Sequence, residues 1–502
     1  MKFESVNQAR EALAKYQATM SAYGHALGVL FHDGSTVAPK ESWAGRGQTM
    51  GVMSQILYDL ETKPENGELL AYLEANQEAL TPMERRQVEV MRKSYDQMHK
   101  VPAEEYVEYS ILMNDAQNIW EKAKYENDFA AFAPYLEKIV NFNRKFAGYY
   151  NPQMAPYDAL LNEYEEGLNT KTLDAFFAQL RSAIVPLLEK VMKAEQIDDS
   201  FLNQSFPIDI QKKFSDYLME VLGLNRAYCG IAESEHPYTT NFNNKDVRIT
   251  THYYENHPTF SMYSVIHEGG HALYELGAED CYNYTNLSGG VSMGIHESQS
   301  RFYENLMGRS RAFIYAVFPK LKELFPEQLK NVDAEMFYKA VNKAQPSLIR
   351  TEADELTYAL HIMVRYEIEK QMIAGTLAIA DVPAEWNRLY KEYLGIDVPS
   401  DAEGCLQDSH WSGGMLGYFP SYALGSAYGP QLLKKMQEDL GDVYGDVEKG
   451  DLSKVTGWLR EKIHRHASFI KPGQLFHAVC GEFDAKFFTD YLTAKYTELY
   501  NL

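Results

Sequence analysis

The sequence predicts a mostly α-helical protein, folded as one unit of two lobes around a deep cleft, with one main β-strand signal. Helical periodicity dominates the 502 residues, and no linker, repeat or low-complexity tract divides them. The segments that carry chemistry are far apart in the chain, at 236–254, 267–297, 350 and 407–422. A cleft within one folded unit explains that spacing better than separable domains, so we expect residues 1–502 to form a single unit.

The clearest helix lies in the first half of the chain. Its apolar side chains repeat every 3.6 residues between Leu173 and Val191, and Pro186 predicts a kink within it. Similar amphipathic patterns predict helices over residues 6–30, 81–125, 129–148, 299–325, 352–373 and 483–500. The main strand signal is the alternating, β-branched segment 245–254, and a strand there would line the cleft.

The most informative helix follows that strand and contains His267-Glu268-Gly269-Gly270-His271. Histidines four residues apart share one helix face, so both imidazoles can bind one metal ion while Glu268 acts as a base on water. Apolar residues from Met262 to Leu276 predict a buried stripe, with a stop at Gly277. Each mid-helix glycine costs about 1 kcal/mol, which predicts close approach of another backbone or of substrate at Gly269-Gly270.

A hydrolytic zinc site uses three protein ligands and one open position. The metzincin pattern is excluded, because Tyr274 and Gly277 occupy the positions of its glycine and third histidine. Downstream, His296-Glu297 lies in a second helical segment. We predict Glu297 as the third ligand beside His267 and His271, with His296 as the alternative.

Composition limits the partners and the compartment. The formal net charge of −22 disfavours nucleic acid and anionic membranes, and no apolar run is long enough for a membrane span. The amino-terminal residues lack the apolar core of a signal peptide. Four widely spaced cysteines, without a Cys-x-x-Cys pair, favour reduced thiols and a cytoplasmic location.

Beyond the zinc motif, further motifs occur in a fixed order. They are His236-Pro237-Tyr238, Asp246-Val247-Arg248-Ile249-Thr250, His267-Glu268-Gly269-Gly270-His271, His296-Glu297-Ser298-Gln299, Ile349-Arg350-Thr351-Glu352-Ala353-Asp354 and Gly404-Cys405-Leu406-Gln407-Asp408-Ser409-His410-Trp411. With these motifs the chain resembles the thermostable-carboxypeptidase family, peptidase family M32. Tyr238 stands where the family usually has Phe, and Ala467 where Gly is expected.

This resemblance implies a two-lobed helical gluzincin metallopeptidase with a small sheet beside the zinc helix. It implies a metallocarboxypeptidase that releases single residues from peptides with a free carboxyl terminus, and a homodimer. The ligand set suits Zn²⁺, and Co²⁺ or Mn²⁺ are also compatible with it.

The resemblance also places further residues in the site. His410 and Tyr418, with Tyr422 as the next candidate, would donate to the oxyanion, and His236 would bind the terminal residue's backbone. Arg350 would bind the terminal carboxylate, since a planar guanidinium makes two parallel bonds to it. The alternative is that Arg350 only pairs with a nearby acid, Glu352, Asp354 or Glu355.

Two other functions compete with this interpretation. An endo-oligopeptidase of similar helical architecture shares the zinc motif but needs no carboxylate-binding arginine. A metal-binding protein without catalysis is the other, and Glu268 argues against it because a storage site has no use for a base between its ligands.

Overall fold

The predicted fold class is confirmed by a computed structural model that describes residues 3–502. The chain is mostly helical and has one small sheet. The α-helices found in the described residues are α1 Val6–Thr36, α2 Trp43–Glu61, α3 Pro64–Ala75, α4 Pro82–Lys100, α5 Ala103–Glu126, α6 Phe129–Tyr150, α7 Pro156–Tyr164, α8 Thr170–Lys193, α9 Ile208–Val221, α10 Pro258–Gly277, α11 Met293–Arg301, α12 Arg311–Leu324, α13 Ala334–Val341, α14 Tyr358–Ala374, α15 Val382–Leu394, α16 Pro420–Leu440, α17 Tyr444–Val447, α18 Ser453–Lys462, α19 Pro472–Cys480 and α20 Lys486–Tyr500.

The predicted helices are present, but two of the predicted runs are interrupted, one at a proline and one near a serine. The single run expected over 81–125 is two helices, α4 and α5, because Pro102 ends the first and begins the second. The run over 299–325 contains a π-helical turn and restarts at α12, where Ser310 caps the amino terminus. Pro186 lies inside α8, which continues on both sides of it.

The sheet consists of β1 Cys229–Glu233, β2 Thr239–Asn243 and β3 Asp246–Thr251, in the order β1-β3-β2. The predicted strand is β3, the central one, parallel to β1 and antiparallel to β2. Val247 and Ile249 of β3 are buried, and α10 packs against β2 and β3. The sheet therefore lies beside the helix that carries His267, Glu268 and His271, as expected.

Helix α10 begins with Pro258 at its first turn and is buried on almost every side. A Cβ on Gly270 would lie 2.7 Å from the carbonyl oxygen of Gln299 and 2.8 Å from Cα of Ser300. The predicted close approach of another backbone is thus present, and that backbone belongs to α11. The glycine allows the two helices of the site to touch.

One large hydrophobic cluster extends from α5 to α20 and includes α10, α11, α14 and α16. A smaller cluster joins α1, α3 and α4. The single unit over residues 1–502 stays a prediction. None of the helices within residues 3–502 combines the length and apolar character that crossing a membrane would demand.

Candidate metal centre and active site

The residues that could hold a metal ion are His267 and His271 of α10 and Glu297 of α11. The Nε2 atoms of the histidines lie 3.7 Å and 3.5 Å from Oε2 of Glu297. One ligand atom from each residue falls within 4.8 Å of the others. Two imidazole nitrogens and one carboxylate oxygen around a common point fit a divalent metal with an open position.

The Nδ1 atom of each imidazole is hydrogen-bonded to a neighbouring side chain. Nδ1 of His267 lies 2.8 Å from Oε2 of Glu304. Nδ1 of His271 lies 2.6 Å from Nδ1 of His296, whose Nε2 lies 2.7 Å from Oε1 of Glu275. Such bonds fix the tautomer that leaves Nε2 free for a metal. His296, the alternative ligand, therefore supports His271 instead of joining the cluster.

Glu297 is anchored by its own helix and by a neighbouring one. Arg301 donates from Nε to Oε1 at 2.7 Å, and Ser300 donates to Oε2 at 3.0 Å. Burial would raise the pKa of Glu297, but the Arg301 and His267 charges outweigh it and hold that pKa well below its usual range. A Cβ on Gly425 of α16 would lie 2.6 Å from Glu297 Cβ, so α16 closes over the ligand.

Charge and burial also act on the histidines. Burial lowers the pKa of His271 to about 3, which keeps its imidazole neutral. The pKa of His267 is raised despite burial, because Glu297 and Glu304 favour its charged form. A divalent cation at this site would replace the proton on His267 and face an already ionised Glu297.

Glu268 points to the sheet side of α10 and is buried. The Thr239 hydroxyl of β2 donates to Oε2 of Glu268 at 2.6 Å. The same hydroxyl lies 3.0 Å from the backbone carbonyl oxygen of Glu268. Burial raises the pKa of Glu268. A carboxylate with a raised pKa is better suited to accept a proton and pass it on near neutral pH.

Arg350 is buried, with 7% of its surface exposed. It donates from Nε and Nη2 to Oδ1 of Asp408 at 3.0 and 2.8 Å, and from Nη1 to the Tyr358 hydroxyl at 3.2 Å. Its partner is therefore Asp408 and not Glu352, Asp354 or Glu355. One edge of the guanidinium is occupied by Asp408, and the other edge carries the remaining donors.

His410, Tyr418 and Tyr422 form an aromatic group beside this arginine. Nε2 of His410 lies 3.2 Å from the Tyr422 hydroxyl, and Tyr418 and Tyr422 meet edge to face at 5.1 Å between ring centroids. The Arg350 guanidinium lies over the Tyr422 ring at 5.1 Å. Burial lowers the pKa of His410 to about 4, and its Nδ1 is buried without a hydrogen-bond partner.

His236 lies apart from these groups. Its residue is exposed, and among the described residues its ring has no hydrogen bond or ring contact with the cluster. The neighbouring Tyr238 hydroxyl lies 2.9 Å from Nδ1 of His32, so the tyrosine at this position links the sheet to α1. The structure thus places His267, His271 and Glu297 around one point with Glu268 on the same helix, and Arg350, His410 and Tyr418 in a second group, while His236 lies outside both.

Several supporting residues were not predicted. Glu304 and Arg301 follow Glu297 at spacings of seven and four, which place them on one helix face, and this signal was available in the sequence. Thr239 and Asp408 reach the site from other elements. No local spacing connects either of them to Glu268 or Arg350.

Comparison with known proteins decides the family. The model of the family described as carboxypeptidase Taq (M32) metallopeptidase matches residues 12–496. The chain belongs to this family. It is 41% identical to carboxypeptidase 1 of Bacillus subtilis over 96% of this chain and 97% of that protein. It is 36% identical to thermostable carboxypeptidase 1 of Pyrococcus furiosus over 97% and 98% of the two chains.

Solved M32 structures agree with this membership. The M32 carboxypeptidase from Deinococcus radiodurans superposes with a TM-score of 0.96 at 36% identity, covering 99% of this chain and all of that one. Trypanosoma cruzi metallocarboxypeptidase 1 gives 0.93 at 31% identity, covering 99% and 100%. The M32 chain is therefore an enzyme of the metallocarboxypeptidase class, and a divalent metal is its expected cofactor. The predicted family and enzyme class are confirmed.

Proposed function

We propose that this M32 enzyme is a zinc metallocarboxypeptidase that hydrolyses the last peptide bond of peptides with a free carboxyl terminus. Cobalt or manganese would also suit the ligands. The observation that carries the proposal is the orientation of His267 and His271, whose Nδ1 atoms are held while both Nε2 atoms face Glu297. We further propose a cytoplasmic enzyme that works as a homodimer, without nucleic-acid or membrane partners.

When bound, the metal would supply a Lewis acid that polarises the scissile carbonyl and lowers the pKa of water. Glu268 removes a proton from the attacking water and delivers it to the departing amine nitrogen. Water oxygen becomes part of the new carboxylate as the C–N bond breaks. His410 and Tyr418 donate to the carbonyl oxygen as negative charge develops on it, an effect typically worth several kcal/mol.

Recognition of the chain end falls to Arg350. Asp408 holds one edge of its guanidinium and Tyr358 restrains Nη1, so the side chain is already ordered before a peptide arrives. A side chain that is already ordered loses less conformational entropy when the peptide binds. His236 would donate to the terminal residue's backbone carbonyl.

The test is mass spectrometry of one defined peptide and its carboxy-amidated twin after incubation with metal-loaded enzyme. We expect a ladder of single-residue losses from the free peptide alone. Internal cuts in both peptides would show an endo-oligopeptidase and contradict the role of Arg350. No cleavage of either, with metal bound, would leave a metal-binding protein without this activity.

Glu268→Gln supplies the matched variant. It should bind metal like the wild type and lose turnover by roughly a thousand-fold or more, because the general base is gone. The control is Glu220→Gln on the exposed face of α9, which should change neither property. Retained turnover in Glu268→Gln would contradict the assigned base.

A further inference from the structure

Helix α14 carries two ionisable side chains one turn apart that are both completely buried, Arg365 and Glu369. Neither touches the metal cluster. Both bind the segment of residues 407–418, which begins beside Arg350 and contains His410 and Tyr418. Buried charges are costly unless they are paired or hydrogen-bonded, and both side chains have such partners in this segment.

Glu369 accepts three hydrogen bonds. Trp411 donates from Nε1 to Oε1 at 2.8 Å, while the Gly417 N–H and the Tyr157 hydroxyl each donate to Oε2 at 2.8 Å. Trp411 directly follows His410, and Gly417 directly precedes Tyr418. One carboxylate therefore holds the chain next to both of the proposed oxyanion donors.

Arg365 holds the start of the same segment. It donates from Nε to Oδ2 of Asp408 at 2.6 Å and from Nη2 to Oε1 of Gln407 at 2.7 Å. The segment is thus attached to α14 at residues 407 and 408 by the arginine, and at 411 and 417 by the glutamate. His410 lies between the two attachments.

The segment has little freedom to settle elsewhere. Gly417 has a φ of +95°, and a Cβ there would lie 3.1–3.2 Å from the Leu160 and Leu161 backbone of α7. The Trp411 ring is buried and meets Trp386 edge to face. Loss of a Glu369 bond would therefore shift the segment locally, by the small distances that matter for catalytic geometry.

We propose that Glu369 is a positioning residue that sets the distance of His410 and Tyr418 from the scissile carbonyl. This inference rests on the proposed function of those two residues. A carboxylate suits the task because both of its oxygens only accept, and three donors converge on them. Glutamine has the same shape but one accepting oxygen, and its amide group would face a donor.

The first test compares Glu369→Gln with Glu367→Gln, a partly exposed neighbour on α14 that pairs with Lys370. For Glu369→Gln we expect kcat to fall roughly ten- to a hundred-fold, with KM changed less than about two-fold, because Arg365 still holds Asp408 and Arg350. Metal content should be unchanged. Glu367→Gln should match the wild type. A purely structural role would instead lower thermal stability and change kcat and KM together.

A second readout does not depend on activity. The chain has five tryptophans, so its NMR spectrum contains few indole N–H signals. The signal that disappears in Trp411→Phe is the one from the Trp411 indole. In Glu369→Gln that proton should move upfield, since a bond to a carboxylate is stronger than one to an amide. An unchanged Trp411 signal would overturn the proposed contact.

Two further variants separate the possible failures. If His410→Ala and Tyr418→Phe leave kcat unchanged, the proposed function of those residues is wrong and the positioning role is overturned with it. If they lower kcat while Glu369→Gln does not, only the positioning role is overturned. Should Glu369→Gln fail to fold, Tyr157→Phe removes one donor and keeps the ring; we expect a kcat loss of about two- to five-fold, and an unchanged kcat would overturn the proposal.

Discussion

The guanidinium of Arg301 lies over the ring of Tyr358, 4.2 Å from its centroid. Arg301 donates to the predicted metal ligand Glu297, and the Tyr358 hydroxyl accepts from Arg350. A single aromatic side chain therefore lies between the support of the metal ligand and the proposed carboxylate-binding arginine. Cation–π contact of a buried arginine is worth up to about 2 kcal/mol, so this link stabilises both groups.

Tyr358→Phe separates the two roles of this ring. The substitution keeps the ring under Arg301 and removes the acceptor for Arg350 Nη1. We expect KM for a free peptide to rise about two- to ten-fold, the value of one hydrogen bond, with kcat and metal content unchanged. Steady-state kinetics and metal analysis measure these quantities. A fall in metal content would mean that the hydroxyl acts on the metal ligands instead.

Glu304→Gln should lower the affinity for the metal ion, although Glu304 is not one of the predicted ligands. Glu304 lies against Nδ1 of His267, and such partners of ligating histidines typically contribute ten- to a hundred-fold in metal affinity. Competition with a chelator of known affinity gives the value. Glu323→Gln, in a solvent-exposed pair with Lys320, is the control and should bind like the wild type. Equal affinities in the two variants would contradict the role assigned to Glu304.

Gly425→Ala should disturb the third ligand by contact alone. The added Cβ would fall 2.6 Å from Cβ and Cγ of Glu297, well inside van der Waals distance. We expect a loss of stability of about 1–3 kcal/mol together with weaker metal binding. Gly457→Ala in α18 is the control, since its Cβ would meet open space and a helical alanine is favoured by about 1 kcal/mol. Thermal melts with and without metal distinguish the two.

Glu165 should make stability depend on pH. Its carboxylate is buried, accepts from the Gly294 N–H at the start of α11, and has its pKa raised by burial to about 7. Because the pKa of Glu165 is higher in the folded state than the value of about 4.5 in the unfolded state, the group stabilises the fold when it is protonated. This stabilisation is fully present below about pH 4.5 and is lost as the pH rises through about 7.

Glu165→Gln removes this dependence, because the amide does not ionise. Relative to wild type, the variant should gain up to about 3 kcal/mol between pH 5 and pH 8, the upper bound that this pKa difference allows. Melting temperatures of both proteins across that range provide the comparison. A constant difference between them would show that the Glu165 pKa is not raised.

Ala467 offers a stabilising substitution. It stands where glycine was expected, and its φ of +45° with ψ of −129° lies in a region that favours glycine. Ala467→Gly should therefore raise stability by about 1 kcal/mol, less the small packing loss of one buried methyl group. Chemical denaturation against wild type measures the gain. A decrease would mean that the methyl contacts with Ala278 and Leu287 outweigh the backbone strain.

Local rules predicted much of this site. The spacing of His267, Glu268 and His271 follows from one turn of helix, and the glycine pair foretold a close backbone, found at Gln299 and Ser300. The fold class was also predictable, because helical periodicity is the strongest signal that a sequence carries. Glu297 of the following helix lies close to both histidines, and its role as the third ligand stays a prediction.

The rest depends on tertiary contacts that no spacing encodes. The alternative was local pairing of Arg350, but Asp354 accepts from the Thr357 N–H just before α14, and Glu355 pairs with Lys495 of α20. The partner of Arg350 is 58 residues away, at Asp408. Where charged groups are buried, the three-dimensional packing decides which of them meet.

The pairing of Arg350 and Arg365 with one Asp408 has an electrostatic consequence. Two permanent cations share a single anion, and all three side chains are withdrawn from water. The charges of these three side chains sum to +1, and burial makes a net charge costly. Under the proposed function, a free chain terminus would restore electroneutrality, whereas an amidated terminus would displace water from the cation and leave it unmatched. Selectivity for the chain end would then arise because the substrate carboxylate supplies the negative charge that balances this group of side chains.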